Sequence, residues 1–119
     1  GLCVSVTRQS KHAIEERSCG DLGGPVSAAP ANSQALTVGR RFLHPGQANG
    51  GHLHPNCDEV LSVLRGVIMQ ICGDEEIMME EGDTVSIQAG TPHQARNIGA
   101  SEAELAICFS SAYRETIDA

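Results

Sequence analysis

The chain has 119 residues, enough for one domain with a modest core and too few for two. Fifteen acidic residues against eight basic ones give a net charge of -7, which opposes a nucleic-acid backbone or an anionic membrane, and no basic cluster larger than Arg40-Arg41 offsets it. Trp is absent and Tyr113, Phe42 and Phe109 are the only aromatics, so base-stacking platforms are excluded as a main device and the core has to be aliphatic.

In chain order, residues 1–34 read as an irregular N-terminal arm. The run Cys19-Gly20-Asp21-Leu22-Gly23-Gly24-Pro25 and the small residues from Ser27 to Ser33 are turn formers that break regular structure. Val4 and Val6 leave room for a short edge strand inside the arm. From residue 35 to 119 short apolar segments alternate with turn signals, as in an all-β sandwich or barrel. Strands are expected near 35–43, 50–54, 58–65, 67–72, 76–79, 84–88, 93–98 and 103–110. Gly73-Asp74 marks a tight hairpin between two of them, and Gly82-Asp83 opens the next turn. In the last strand Leu105, Ile107 and Phe109 share one face by period two.

The five cysteines, Cys3, Cys19, Cys57, Cys72 and Cys108, are odd in number and lack C-x-x-C spacing, so they read as reduced thiols in a cytoplasmic setting. No apolar run approaches the ~18 residues of a membrane span, and the N-terminus lacks a basic region followed by an apolar leader. Neither a membrane nor a nucleic acid is an expected partner.

The chemistry concentrates in His52-Leu53-His54-Pro55-Asn56-Cys57-Asp58-Glu59 and, further on, Gly90-Thr91-Pro92-His93. On a strand a His-x-His pair presents two imidazoles to the same face, and Glu59 and His93 can complete a divalent-metal site. A carboxylate turned into an apolar barrel needs a partner to offset its desolvation, and a cation provides one.

The spacing around these residues is Gly46, five residues, His52-x-His54, four residues, Glu59, six residues, Gly66, and later Gly82, five residues, Gln88-x-Gly90, two residues, His93, three residues, Asn97. Over roughly residues 35–111 this resembles the two-part signature of the cupin superfamily, small single-domain jelly-roll barrels with a double-stranded β-helix. The resemblance implies that His52, His54, Glu59 and His93 converge on one metal ion inside the barrel. Gln88 stands where the family usually has Pro, which puts only a local turn in doubt. Gly66, Gly82 and Gly90 fall where strands must turn sharply. The resemblance also implies a homodimer, with the arm covering the partner.

Three His and one Glu leave one or two positions of an octahedral ion open. Iron(II) is the favoured ion, ahead of manganese(II) or nickel(II) and then zinc(II). The functional expectation is a metal-dependent enzyme acting on a small carboxylate- or carbonyl-containing metabolite, with a slight lean to a dioxygenase. The alternatives are a redox-neutral isomerase, lyase, decarboxylase or cyclase, or a non-catalytic metal- or ligand-binding barrel. Around the site, alternation through Arg40-Arg41-Phe42-Leu43-His44 sets one arginine inward and one outward, and an inward arginine suits an anionic substrate. Gln70 interrupts an apolar strand and is a third candidate for substrate binding. Catalytic residues are not identified, with His44 and Tyr113 as candidates for an acid or base. Cys57 reads as an incidental thiol beside the site.

Overall fold

A computed structural model describes residues 14–17, 20–26 and 34–119, with side chains from residue 34 onward. All of the described regular structure is β: β1 (Ile14–Arg17), β2 (Gly20–Val26), β3 (Thr37–Leu43), β4 (His52–Leu53), β5 (Glu59–Arg65), β6 (Val67–Cys72), β7 (Glu75–Glu80), β8 (Thr84–Ile87), β9 (His93–Asn97), β10 (Ala103–Phe109) and β11 (Ile117–Asp118). One sheet runs β1-β2-β3-β10-β5-β8 and the other β11-β4-β9-β6-β7. Every pairing is antiparallel, and neighbours such as β10 and β5 are distant in sequence, the crossover pattern of a jelly roll.

The sequence builds this barrel by alternation. In β3 and β10 every second residue is buried. Leu43, Leu61, Val63, Ile68, Ala95, Leu105 and Ile107 meet between the sheets as a mainly aliphatic core, with Phe109 as its one aromatic among the described residues. Each fully buried Leu, Ile or Val contributes roughly 1.5–3 kcal/mol of transfer free energy, which makes this interior the main source of stability. Gly66 sits at the β5–β6 turn with φ of 94°, and a Cβ there would lie 2.9 Å from the Ala103 Cα. Both the conformation and the close approach require glycine. The turn that lacks the expected proline closes without it, the Thr91 amide donating to the Gln88 carbonyl at 3.2 Å.

The glycine-rich stretch read as turn formers is instead strand β2, hairpinned to β1 and paired with β3. Backbone pairing with β3 overrides the local preferences. Asp21, Leu22 and Gly23 lie opposite Phe42, Arg41 and Arg40, and the register shifts before Val26 meets Val38. Pro25 falls in that irregularity, a position at which sheets tolerate a residue without an N–H. Val4 and Val6 lie outside the described residues. A second strand that the sequence did not signal is β11, which lies along β4 with Ile117 opposite Leu53 and Asp118 opposite His52.

Candidate metal centre

His52 lies on β4 and is paired directly with His93, the first residue of β9; Glu59 opens β5 in the opposite sheet, opposite Phe109. His54 follows β4, its ring edge-on to Phe109 at 5.0 Å between centroids. The four side chains therefore reach into one end of the barrel from both sheets. One ligand atom from each of His52, His54, Glu59 and His93 lies within 4.8 Å of every other.

The rings are held by the backbone. The Nδ1 of His52 is 2.7 Å from the Gly50 carbonyl, that of His93 is 2.8 Å from the Thr91 carbonyl, and that of His54 is 2.8 Å from the Glu115 carbonyl. A carbonyl only accepts, so each Nδ1 carries the proton and each Nε2 turns a lone pair inward. Among the described residues the buried His54 Nε2 has no hydrogen-bond partner although it lies 3.2 Å from Glu59 Oε1; His93 Nε2 lies 3.1 Å from the same oxygen. Lone pairs and a carboxylate crowded this closely need positive charge among them. For ligands at about 2.1 Å from an ion, neighbours stand about 3.0 Å apart in an octahedron and about 3.4 Å apart in a tetrahedron. The two separations from Glu59 Oε1, 3.1 and 3.2 Å, lie between these values, so the residues present fit a divalent ion of either geometry.

The charges in the metal-free site follow the same arrangement. Burial alone would raise the Glu59 carboxyl, but polar contact with the His54 and His93 rings outweighs it and holds the group at about 2. His93 is pulled down by burial and more than restored by Glu59, so its pKa is raised. Burial lowers that of His52, against the opposing Gly50 carbonyl.

The other candidates separate. On β3 Arg41 shares the buried face with Leu43 and lies opposite Leu105, so it is the inward arginine. It stands four residues from the Phe109 level, about 13 Å along the strand. Arg40 faces outward, ion-paired with Glu104 and lying over the Phe42 ring. His44 does not join the site: its side chain is 67% exposed and 3.5 Å from Glu102, at the far end of β10. Six residue steps along β10, from Ala103 to Phe109, separate that end from the ligand level, roughly 20 Å. Tyr113 is also outside, 63% exposed, its hydroxyl donating to Gln34 Oε1 at 3.3 Å. Gln70 faces the interior and is 1% exposed. Cys57 is buried in the core.

The C-terminal strap, residues 113–119, was not among the expected elements. Asn56 holds it at two points, Nδ2 donating to the Tyr113 carbonyl at 2.8 Å and Oδ1 accepting from the Glu115 amide at 3.0 Å. This places the Glu115 carbonyl on His54, with the Thr116 hydroxyl 3.3 Å from the same nitrogen. Gly51 admits the end of the strap, because a Cβ there would meet the Ala119 carbonyl at 2.8 Å. A main-chain carbonyl leaves no mark in a side-chain pattern; Asn56, between His54 and Glu59, was the one available signal.

The Cupin domain profile matches residues 40–109, spanning all four of these ligand candidates. The chain belongs to the cupin family. It is 31% identical over 88 residues to germin-like protein 3-3 of Oryza sativa subsp. japonica, a match covering 67% of this chain and 39% of that protein. It is 27% identical over 88 residues to oxalate oxidase GF-2.8 of Triticum aestivum, with the same coverage of each. This cupin thus spans about two-fifths of the length of the curated relatives it matches. Its fold superposes on the oxalate decarboxylase of Lactobacillus farciminis with a TM-score of 0.83 at 17% identity, over 92% of this chain and 34% of the other.

Proposed function

We propose that this cupin is a divalent-metal-dependent enzyme acting on a small carboxylate of the oxalate or glycolate class, in an oxygen-consuming reaction. The observation that carries the reading is the set of three imidazoles, each fixed through Nδ1 to a carbonyl, clustered with the Glu59 carboxylate, which His54 and His93 face with Nε2. Iron(II) is the favoured ion and manganese(II) the next, both suited to six-coordinate sites of nitrogen and oxygen ligands. The bound ion supplies Lewis acidity and open positions for a chelating acid and for dioxygen. The chain supplies the rest. Phe109 and the aliphatic core exclude water behind the ligands, while Arg41 shares the interior face of β3 but stands about 13 Å along the strand from the ligand level. The substrate class is supported by similarity to an oxalate oxidase and an oxalate decarboxylase. The described cysteines Cys57, Cys72 and Cys108 are free thiols, which supports a cytoplasmic setting.

The test is metal analysis of the purified protein and of its His52→Ala and His93→Ala variants, followed by oxygen-electrode assays with oxalate and glycolate. The expected result is about one ion per chain in the wild type only, with oxygen uptake and peroxide formation. Stoichiometric metal in both variants would overturn the site. Carbon dioxide and formate formed from oxalate without oxygen uptake would replace the oxygen-consuming reaction by redox-neutral decarboxylation.

A further inference from the structure

Two buried amides share the interior face of the second sheet and differ in one respect. Asn97 is fully satisfied: Nδ2 donates to the Leu43 and Ser101 carbonyls, both at 2.8 Å, and Oδ1 accepts from the Gly99 amide at 2.8 Å. Gln70 is equally buried, yet among the described residues neither its Oε1 nor its Nε2 has a hydrogen-bond partner. Native interiors rarely leave a primary amide wholly unpaired, and such a group calls for an explanation.

Its register gives one. In the β6–β9 ladder Cys72 lies opposite His93 and Gln70 opposite Ala95. Gln70 is therefore the same-face diagonal neighbour of His93, at about 7–8 Å, a separation that a long side chain spans. It stands one layer deeper in the barrel than the metal ligands. The neighbouring Cys72 thiol does approach the amide, its pKa raised by burial and lowered in part by the Gln70 contact, but a thiol is a weak hydrogen-bonding group and neither amide atom reaches hydrogen-bond geometry with it. The ligand candidates lie above Gln70, and apolar side chains such as Ile68 share its face below.

We infer that Gln70 is the residue that orients the small acid at the metal, and that it selects an acid carrying an O–H next to its carboxylate. The inference rests on the metal-site reading above. An amide with both ends free matches a ligand that offers an acceptor and a donor together: Nε2 donates to a carboxylate oxygen and Oε1 accepts from the adjacent hydroxyl. An α-hydroxy acid or a half-protonated dicarboxylate has that arrangement. A simple monocarboxylate lacks the donor and leaves Oε1 unpaired, the situation in which buried polar sites discriminate most strongly.

The experiment is calorimetric titration of the manganese(II)-loaded protein with glycolate, oxalate and acetate, for wild type, Gln70→Met and Gln70→Glu. Metal stoichiometry is measured in each, and so is thermal stability, because Met keeps the volume of Gln without its polar atoms. The wild type is expected to bind glycolate at least tenfold more tightly than acetate. In Gln70→Met metal content stays the same and the preference for glycolate falls to within about threefold, while Gln70→Glu loses oxalate most through like-charge repulsion. Full metal content with an unchanged glycolate-to-acetate ratio in Gln70→Met would overturn the inference and leave the metal site standing, the amide being satisfied by buried water alone. Failure of the wild type to take up metal would overturn the reading beneath it, and the two failures are distinguished by the metal content.

Discussion

Replacing Glu59 with Gln removes the only negative charge among the four ligand candidates and changes the protein in opposite directions with and without metal. In the metal-free protein a carboxyl held at about 2 in place of 4.5 corresponds to roughly 3 kcal/mol of stabilisation of the charged form. The lowered pKa means that this contribution is complete above pH 4.5 and is lost as pH falls from there toward 2. The raised pKa of His93 works the other way, its contribution present below 6.5 and lost as pH rises through the elevated value. The pair thus favours the metal-free fold most between about pH 4.5 and 6.5. Metal binding instead needs neutral imidazoles and strengthens with pH through the His93 titration. Denaturant unfolding of metal-free Glu59→Gln at pH 6 should show a loss of about 1–3 kcal/mol, the lower figure applying if the new amide donates to one imidazole. At pH 2 the difference from wild type should nearly vanish. With metal at a hundredfold over its Kd, the wild type gains about 2.7 kcal/mol, and the variant should gain far less. A metal-free variant as stable as wild type at pH 6, with an unaltered acid limb, would refute the electrostatic account of this cluster.

Asn56→Ala should release the strap from the ligand loop, lowering metal affinity on the order of 10–100-fold through loss of the Glu115 contact to His54, as isothermal titration would show. Gly66→Ala combines a positive φ with a 2.9 Å approach to Ala103 and should cost at least about 2 kcal/mol in chemical denaturation. The protein is expected to be a homodimer, its exposed apolar residues Val60, Leu64 and Met78 being candidates for burial; light scattering with size-exclusion chromatography should give twice the 12.5 kDa chain mass, and a clean monomer at micromolar concentration would end that idea.

What could be read from the residues alone followed from how each position is determined. His52, His54, Glu59 and His93 were legible because strand alternation and turn spacing act locally, and the barrel only has to close for those faces to meet. The eight strands from β3 to β10 were legible for the same reason. β2 was not, because its glycines and Pro25 favour turns, and it exists through pairing with β3, a partner no local pattern discloses. β11 is two residues long and depends on β4 in the same way. Arg40 and Arg41 were partly legible: alternation separated them, and the shared face of Arg41 with Leu43 decided which was inward. His44 chemically suits an acid or base, yet it lies beyond the β3 end that pairs with Ala103, away from the ligands.

The orientation of all three imidazoles is set by carbonyl groups at residues 50, 91 and 115, and every amino acid possesses a carbonyl. The identities at positions 91 and 115 can therefore drift with little effect on the aim of the rings, as long as the main chain keeps its path. The inner wall at Gln70 and Cys72 is free of that duty. A lineage built on this plan can change what it accepts without rebuilding what it holds.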